Sequence, residues 1–445
     1  MTSMNDVHRI SQKPLKTEVF RGFCQPADFI VAFPAFLHYI YGMSNILDYI
    51  VWRGDLSFEE SAFNEIDALI LCQISYLNFD GLLADGDFSK KVTLLELAGL
   101  FKKSADFEKR CDTGLLINRL TVKLMFDAAA SRRFGGVGVT GYVSIIDLKN
   151  EEQFSAVTYL PQEKMNFIAY RGTDDTIVGW KEDFNLAILD EVPAQKDAVK
   201  YLDKAMSVLK GSFVVGGHSK GGNLAVYACS KACETEKKRI ELIYNMDGPG
   251  FSEKRLHSQE FYSVIPKVRS YYPHFSIVGM LFDHAGSYSV VESDESGIMQ
   301  HDPFSWHLLG CRYVVLDGFD DTSRFFHDTF NTWISQMPPE QRETFVETLF
   351  SIIQATDART NSEIEQNIVE NSVKIIRAIH GLDPELKDGL YKTLKMLFHI
   401  AHKRLPTFAE LFERSELRNN ARNAGRKVRS AAGKIKERAG SISRR

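Results

Sequence analysis

Residues 212–228 read SFVVGGHSKGGNLAVYA, and this stretch decides the fold. Its first part, SFVV, is aromatic and β-branched, as a buried strand requires. Its last part, NLAVYA, opens a helix packed through Leu224, Tyr227 and Ala228. Between them Gly217, Ser219 and Gly221 form G-x-S-x-G at a strand-to-helix turn. Such a turn holds its serine in a strained conformation and leaves no room for side chains two residues to either side. Ser219 is therefore the candidate nucleophile. Without its strand and helix context, the same motif would be an ordinary glycine-rich turn.

Working outward, VGVTGYVSIID (137–147), FSAVTYL (154–160) and MNFIAYRG (165–172) read as strands before the turn. PAQKDAVKYLDKAMSVLKG reads as a long helix ending at Gly211. RIELIYNMDG, KVRSYYP and YSVVES read as strands after it. Alternating strands and helices predict an α/β fold, with a sheet that is parallel at its middle and flanked by helices. Upstream, SFEESAFNEIDALILCQISYL predicts one helix capped at Ser57 with Glu60 three residues on, and CDTGLLINRLTVKLMFDAAASRRF predicts a second. Beyond Phe319 the pattern is helical, giving a C-terminal appendage.

The expected organisation is an uncertain N-terminal extension (1–42), an α/β domain (43–318), a helical region (319–417) and a basic tail (418–445). Met43 reads as the natural start, with a genuine N-terminal arm as the rival. The apolar stretch 27–43 is broken by Asp28, Pro34 and His38 and is too short to span a bilayer. No small-residue cleavage site follows it. The six cysteines are scattered without metal-ligand spacing, which suits reduced thiols in a cytosol and calls for no structural zinc.

The tail from Arg418 carries ten basic residues and one acid, a net +9 in a chain of −4, so the rest stands at −13. Val428, Ile435 and Ile442 lie seven apart on it. A basic segment with an apolar stripe suits an anionic membrane surface, which adds peripheral membrane attachment to the cytoplasmic expectation. A solvated, frayed tail is the first explanation of the charge, ahead of the membrane surface. Nucleic acid is the weaker partner, because the tail has no aromatic residue to stack on bases.

A serine nucleophile needs a base, an acid to orient it and donors for the oxyanion. The chain order Ser, acid, His directs the search downstream of Ser219. His301, in the loop GIMQHDPFSW after the strand YSVVES, is the candidate base, with His307 second. Asp247, at the end of ELIYNMD, is the candidate acid, with Asp283 and Asp302 as alternatives. Asp302 adjoins His301, and neighbours in sequence seldom orient one another. Asp247 also reads as a simple turn-former before Gly-Pro. The oxyanion donors would be the backbone N–H of Lys220 and that of Thr173, in the loop after FIAYRG.

FIAYRGTDDTIVGWKEDF followed by VVGGHSKGGNLAVYA resembles the class 3 lipases, which join R-G-[ST], W-x-x-D and G-H-S-L-G-G in that order; Trp180 and Asp183 match W-x-x-D. Over residues 43–355, NILDYIVWRGDLSFEESAFNEIDALILCQISYL, AYRGTDDTIVGWKEDFN, GHSKGGNLAVYA, NMDGPGF, SIVGML and QHDPFSW resemble the bacterial Mbeg1-like family (DUF2974) of α/β-hydrolases. The resemblance implies the α/β-hydrolase fold and a lipase-like core, with Ser219 as nucleophile, Thr173 as oxyanion residue and His301 as base. It implies neither a metal nor an organic cofactor, and it supplies no substrate. Two departures stand out. Ser276 occupies the position where class 3 lipases carry their acid, so the acid has moved to Asp247 or the triad is incomplete. Lys220 replaces the usual leucine, which keeps the backbone donor but would alter the pocket entrance. The leading expectation is an esterase or lipase acting on an acyl ester. The same machinery would cleave a thioester or an amide. The alternative is a catalytically weak or inactive hydrolase-fold scaffold.

Overall fold

A computed structural model describes residues 44–404, apart from 116, 187–188, 285 and 296. The N-terminal extension and the basic tail lie outside the described residues.

The strands are β1 (Lys91–Thr93), β2 (Gly138–Asp147), β3 (Glu152–Gln162), β4 (Met165–Tyr170), β5 (Ser212–His218), β6 (Ile240–Met246), β7 (Val268–Pro273), β8 (Tyr288–Val291), β9 (Leu308–Leu309), β10 (Arg312–Tyr313) and β11 (Val315–Leu316). Nine form one sheet in the order β1-β2-β3-β4-β5-β6-β7-β8-β11, and β9 pairs with β10 separately. The expected parallel centre is the run β4 to β8. Both ends of the sheet are antiparallel: hairpin-connected β2–β4 with β1 on one side, and β11 on the other.

The central strands are buried on both faces, and alternate residues feed two cores. Phe167, Ala169 and Val214 point to one, with Leu69, Leu97 and Trp306. Ile168, Tyr170, Phe213 and Val215 point to the other, with Leu202, Leu224 and Tyr227 from the helices Pro193–Val208 and Lys220–Lys231. This is the period-two pattern of a sheet with helices on both sides.

Two helix expectations are corrected. Ser57 and Glu60 do exchange capping hydrogen bonds, but the turn they close does not propagate. The helix is Glu65–Ile74, and Asn64 with Asp67 forms its capping box. The second signal lies immediately before the continuous apolar stripe, so burial selects it. The predicted second helix is shorter than expected: its first residues follow the short helix Phe107–Cys111 through a turn at Gly114 (φ +73°), and the helix itself is Leu120–Ala130.

Downstream, helices Asp321–Gln336, Pro339–Gln354, Asn361–Gln366, Ile368–Gly381 and Pro384–Arg404 make the C-terminal region. Trp333, Met337, Phe345 and Phe350 pack there against Ile177, Trp180 and Phe184 of the helix Ile177–Leu186. A β-bridge between Thr176 and Thr360 joins the two regions as well.

Candidate active site

Ser219 sits between β5 and the helix Lys220–Lys231 with φ +58° and ψ −136°. A non-glycine residue there carries about 1–3 kcal/mol of strain, held by its surroundings. The glycines explain how the turn closes. A Cβ on Gly217 would lie 2.1 Å from the Gly221 carbonyl carbon, and one on Gly221 would lie 2.1 Å from the Tyr170 oxygen. The Ser219 N–H donates to the Met246 carbonyl, which ties the turn to β6.

Asp247 follows β6 directly, is fully buried and also has positive φ, +51°. Its two carboxylate oxygens have different partners. Oδ2 accepts from His301 Nδ1 at 2.6 Å, and Oδ1 accepts from Ser276 Oγ at 2.5 Å. His301 ends the 3-10 segment Gly297–His301, with its side chain 26% exposed. Because Nδ1 donates to the carboxylate, a neutral His301 has its lone pair on Nε2.

The alternatives lie elsewhere. Asp302 accepts from Asn118 and from the Phe304 N–H, capping the next 3-10 turn. Asp283 bridges to Phe251 through the backbone. His307 Nε2 lies 2.7 Å from Asp294.

A second histidine supports the first. His218, the last residue of β5, lies against His301 with ring centroids 4.5 Å apart and the rings tilted by 33°. Its Nε2 lies 2.9 Å from the His301 carbonyl oxygen, which can only accept, so Nε2 carries the proton. His218 Nδ1 then accepts from the Tyr76 hydroxyl at 3.0 Å. Burial, and next the nearby His301, hold His218 far below the usual histidine range, so it stays neutral. Nothing in the sequence marked Tyr76, which reads as one more member of an amphipathic helix.

Thr173 follows β4 and is buried; its hydroxyl donates to Asp183 Oδ2 at 2.6 Å. Burial raises the Asp183 carboxyl to about 6, against the opposing pull of Lys220. The preceding Gly172 brings this loop onto Ser219: a Cβ there would lie 2.9 Å from Ser219 Cβ and 2.2 Å from the Tyr76 oxygen.

The sequence suggested that the Lys220 side chain would alter the pocket entrance; the side chain is instead buried. It turns inward, and its Nζ donates to Glu182 Oε2 at 2.8 Å and to both oxygens of Gln153 at 2.7 Å. Lys220 and Glu182 are each about 1% exposed or less. An ammonium buried this deeply needs a carboxylate and full hydrogen bonding, and the interior at Glu182 supplies both.

Similar solved structures are lipases. A deletion mutant of the Rhizomucor miehei lipase propeptide complex is 18% identical over 36% of this chain and 56% of its own, with a TM-score of 0.28. The M37 lipase is 16% identical over 49% of this chain and 70% of its own, with a TM-score of 0.30. The chain thus spans little more than half the length of the first of these. No curated protein matches it. The model of the Mbeg1-like family matches residues 128–351, half of the chain, a range that takes in every residue of this site except Tyr76. The chain belongs to the Mbeg1-like family.

Proposed function

We propose that this protein is a serine hydrolase of the esterase or lipase type. The observation that carries the reading is the 2.6 Å hydrogen bond from His301 to the buried Asp247 at the end of β6, with the strained Ser219 at the end of the adjacent strand β5. A scaffold has no use for that strain. Ser276, whose place in the chain raised the prospect of an incomplete triad, donates to Asp247.

In the proposed reaction, Ser219 Oγ attacks an acyl carbon while His301 Nε2 takes its proton. The Oγ–C bond forms and the carbonyl electron pair moves to oxygen. Asp247 stabilises the imidazolium through Nδ1–H. The oxyanion is held by the backbone N–H groups of Thr173 and Lys220. The latter is the first helical residue after Ser219, where N–H groups have no intrahelical acceptor and the helix dipole favours negative charge. Collapse breaks the bond to the leaving group, which takes the proton from His301, and leaves an acyl-enzyme. Water then reverses the sequence. One oxyanion donor is worth about 3–4 kcal/mol of barrier.

The substrate class is an acyl ester, lipids included. The basic tail would bring the protein to an anionic membrane face from the cytoplasmic side.

The test is labelling by a fluorophosphonate probe of wild-type protein beside Ser219→Ala, His301→Ala and Asp247→Ala. Labelling lost in the first and reduced in the other two supports the assignment. A folded wild-type protein that takes no label overturns it.

A further inference from the structure

Three consecutive residues of the helix Ile177–Leu186 reach in three directions. Lys181 Nζ pairs with Glu151 at 2.6 Å and with Glu347 of the C-terminal region at 2.8 Å. Glu182, fully buried, holds Lys220 through Oε2 and the Ala194 N–H through Oε1. Asp183 holds the Thr173 hydroxyl. Both residues assigned to the oxyanion are thus anchored on neighbouring carboxylates of one helical turn, although 47 positions separate Thr173 from Lys220. The start of the same helix is fastened to the C-terminal region. The Ile177 N–H donates to the Arg359 carbonyl at 2.9 Å, and Asp175 accepts from the Ser362 N–H at 3.1 Å.

Packing alone would have been served by an apolar side chain at 220. A buried lysine and glutamate give up their hydration, and a well-packed apolar pair is often as stable or more so. What the ion pair adds is direction: the ammonium has three donors and fills them with Glu182 and the two oxygens of Gln153. A lysine held at its far end restricts its own backbone.

We propose that Lys220 and Glu182 are positioning residues, whose buried ion pair fixes the Lys220 backbone N–H in register with Thr173 so that one turn of the helix Ile177–Leu186 sets both oxyanion donors. The inference rests on the serine-hydrolase reading and extends it to side chains that touch no substrate. Its physical basis is that an oxyanion site works through prior alignment, and slight misplacement of a donor costs rate rather than binding.

The experiment compares full-length wild type, Glu182→Gln, and the double variant Lys220→Met/Glu182→Gln. The double variant removes both charges together and leaves no unpaired ion. Each is assayed with a short p-nitrophenyl ester, after near-ultraviolet circular dichroism has established the native fold. The expected result for the double variant is a kcat lower by about 10- to 100-fold with KM within about twofold of wild type. A native double variant with wild-type kcat overturns the proposal, as does a change confined to KM. Wild-type protein gives a second reading that does not depend on either variant folding. Phosphonylation of Ser219 should slow amide hydrogen exchange at Thr173 and Lys220 together, and protection of only one overturns the coupling. Wild-type protein that neither hydrolyses the ester nor reacts with the phosphonate overturns the hydrolase reading itself, which separates that failure from this one.

Discussion

Ser276 Oγ donates a 2.5 Å hydrogen bond to Asp247 Oδ1, while the other oxygen of the same carboxylate accepts from His301 Nδ1 at 2.6 Å. In the proposed triad the acid follows β6, and Ser276, after β7, donates to its other oxygen. Asp247→Asn should lower kcat by about 10³–10⁴-fold, because the amide presents a donor to a ring nitrogen that must itself donate. Ser276→Ala leaves the His301 contact and removes one hydrogen bond to a charged group, worth about 1.5–3 kcal/mol. Its kcat should fall less, by about tenfold. Steady-state kinetics on one ester checks both. Equal losses would place Ser276 on a par with the acid and contradict this division.

Gly172→Ala should cost at least about 10²-fold in rate of serine labelling, since misplacement near a reacting atom is expensive. The new methyl group would lie 2.2 Å from the Tyr76 oxygen and 2.6 Å from the His218 carbonyl oxygen, and the neighbour on its third side is Ser219 itself. Time-resolved labelling with a fluorophosphonate checks it. Gly381→Ala is the control, because its added Cβ would meet nothing within 4 Å beyond its chain neighbours and its own helix backbone.

Acid should destabilise the fold through histidines. Burial lowers His284 to about 4 and holds His218 further down. An unfolded histidine binds its proton near pH 6.5, so the unfolded state gains protons first as pH falls. Stability contributed by these two groups is present above about pH 6.5 and is lost as pH falls through their folded values. Asp183 has the opposite sign. Its carboxyl is raised to about 6, so its contribution is present below about 4 and is lost as pH rises through 6. Urea midpoints between pH 4 and 8 should therefore give a shallower acid slope for His284→Gln than for wild type. For Asp183→Asn, the advantage over wild type should be greatest above pH 6.

Arg133 and Asp67 form a salt bridge with both side chains fully buried. Arg133 also donates to the carbonyls of Ser61 and Ala62, and Tyr49 donates to Asp67. Arg133→Ala strands a carboxylate in the core and should destabilise the protein by about 3–5 kcal/mol. Asp67→Asn/Arg133→Met removes both charges and should recover part of that loss. Chemical denaturation of the three proteins checks the order.

Deleting residues 418–445 removes a net +9. Binding to vesicles rich in anionic lipid should weaken at low salt, and the difference should shrink as salt screens it. Co-sedimentation checks it. Unchanged binding would remove the membrane from the list of partners.

Short-range features of this protein were legible in the sequence because they arise from short-range physics. The apolar β-branched runs state where β2 to β8 lie, and the glycines around Ser219 state that the chain must turn where a side chain cannot fit. His301, Asp247 and Thr173 were candidates from chain order and from the strands they follow, and the structure pairs His301 with Asp247 and Thr173 with Asp183. The start of the helix at Glu65 was not settled, because two capping boxes compete there and burial of the stripe beyond Asn64 decides between them. Nor were the partners of buried polar groups. That Ser276 serves Asp247, that Tyr76 and His218 support His301, and that Lys220 points inward to Glu182 depend on contacts 29, 142 and 38 residues apart in sequence. Local sequence fixes which backbone each residue adopts. Only the closed tertiary structure excludes water from a carboxylate, an imidazole or an ammonium, and that exclusion forces each to find its partner.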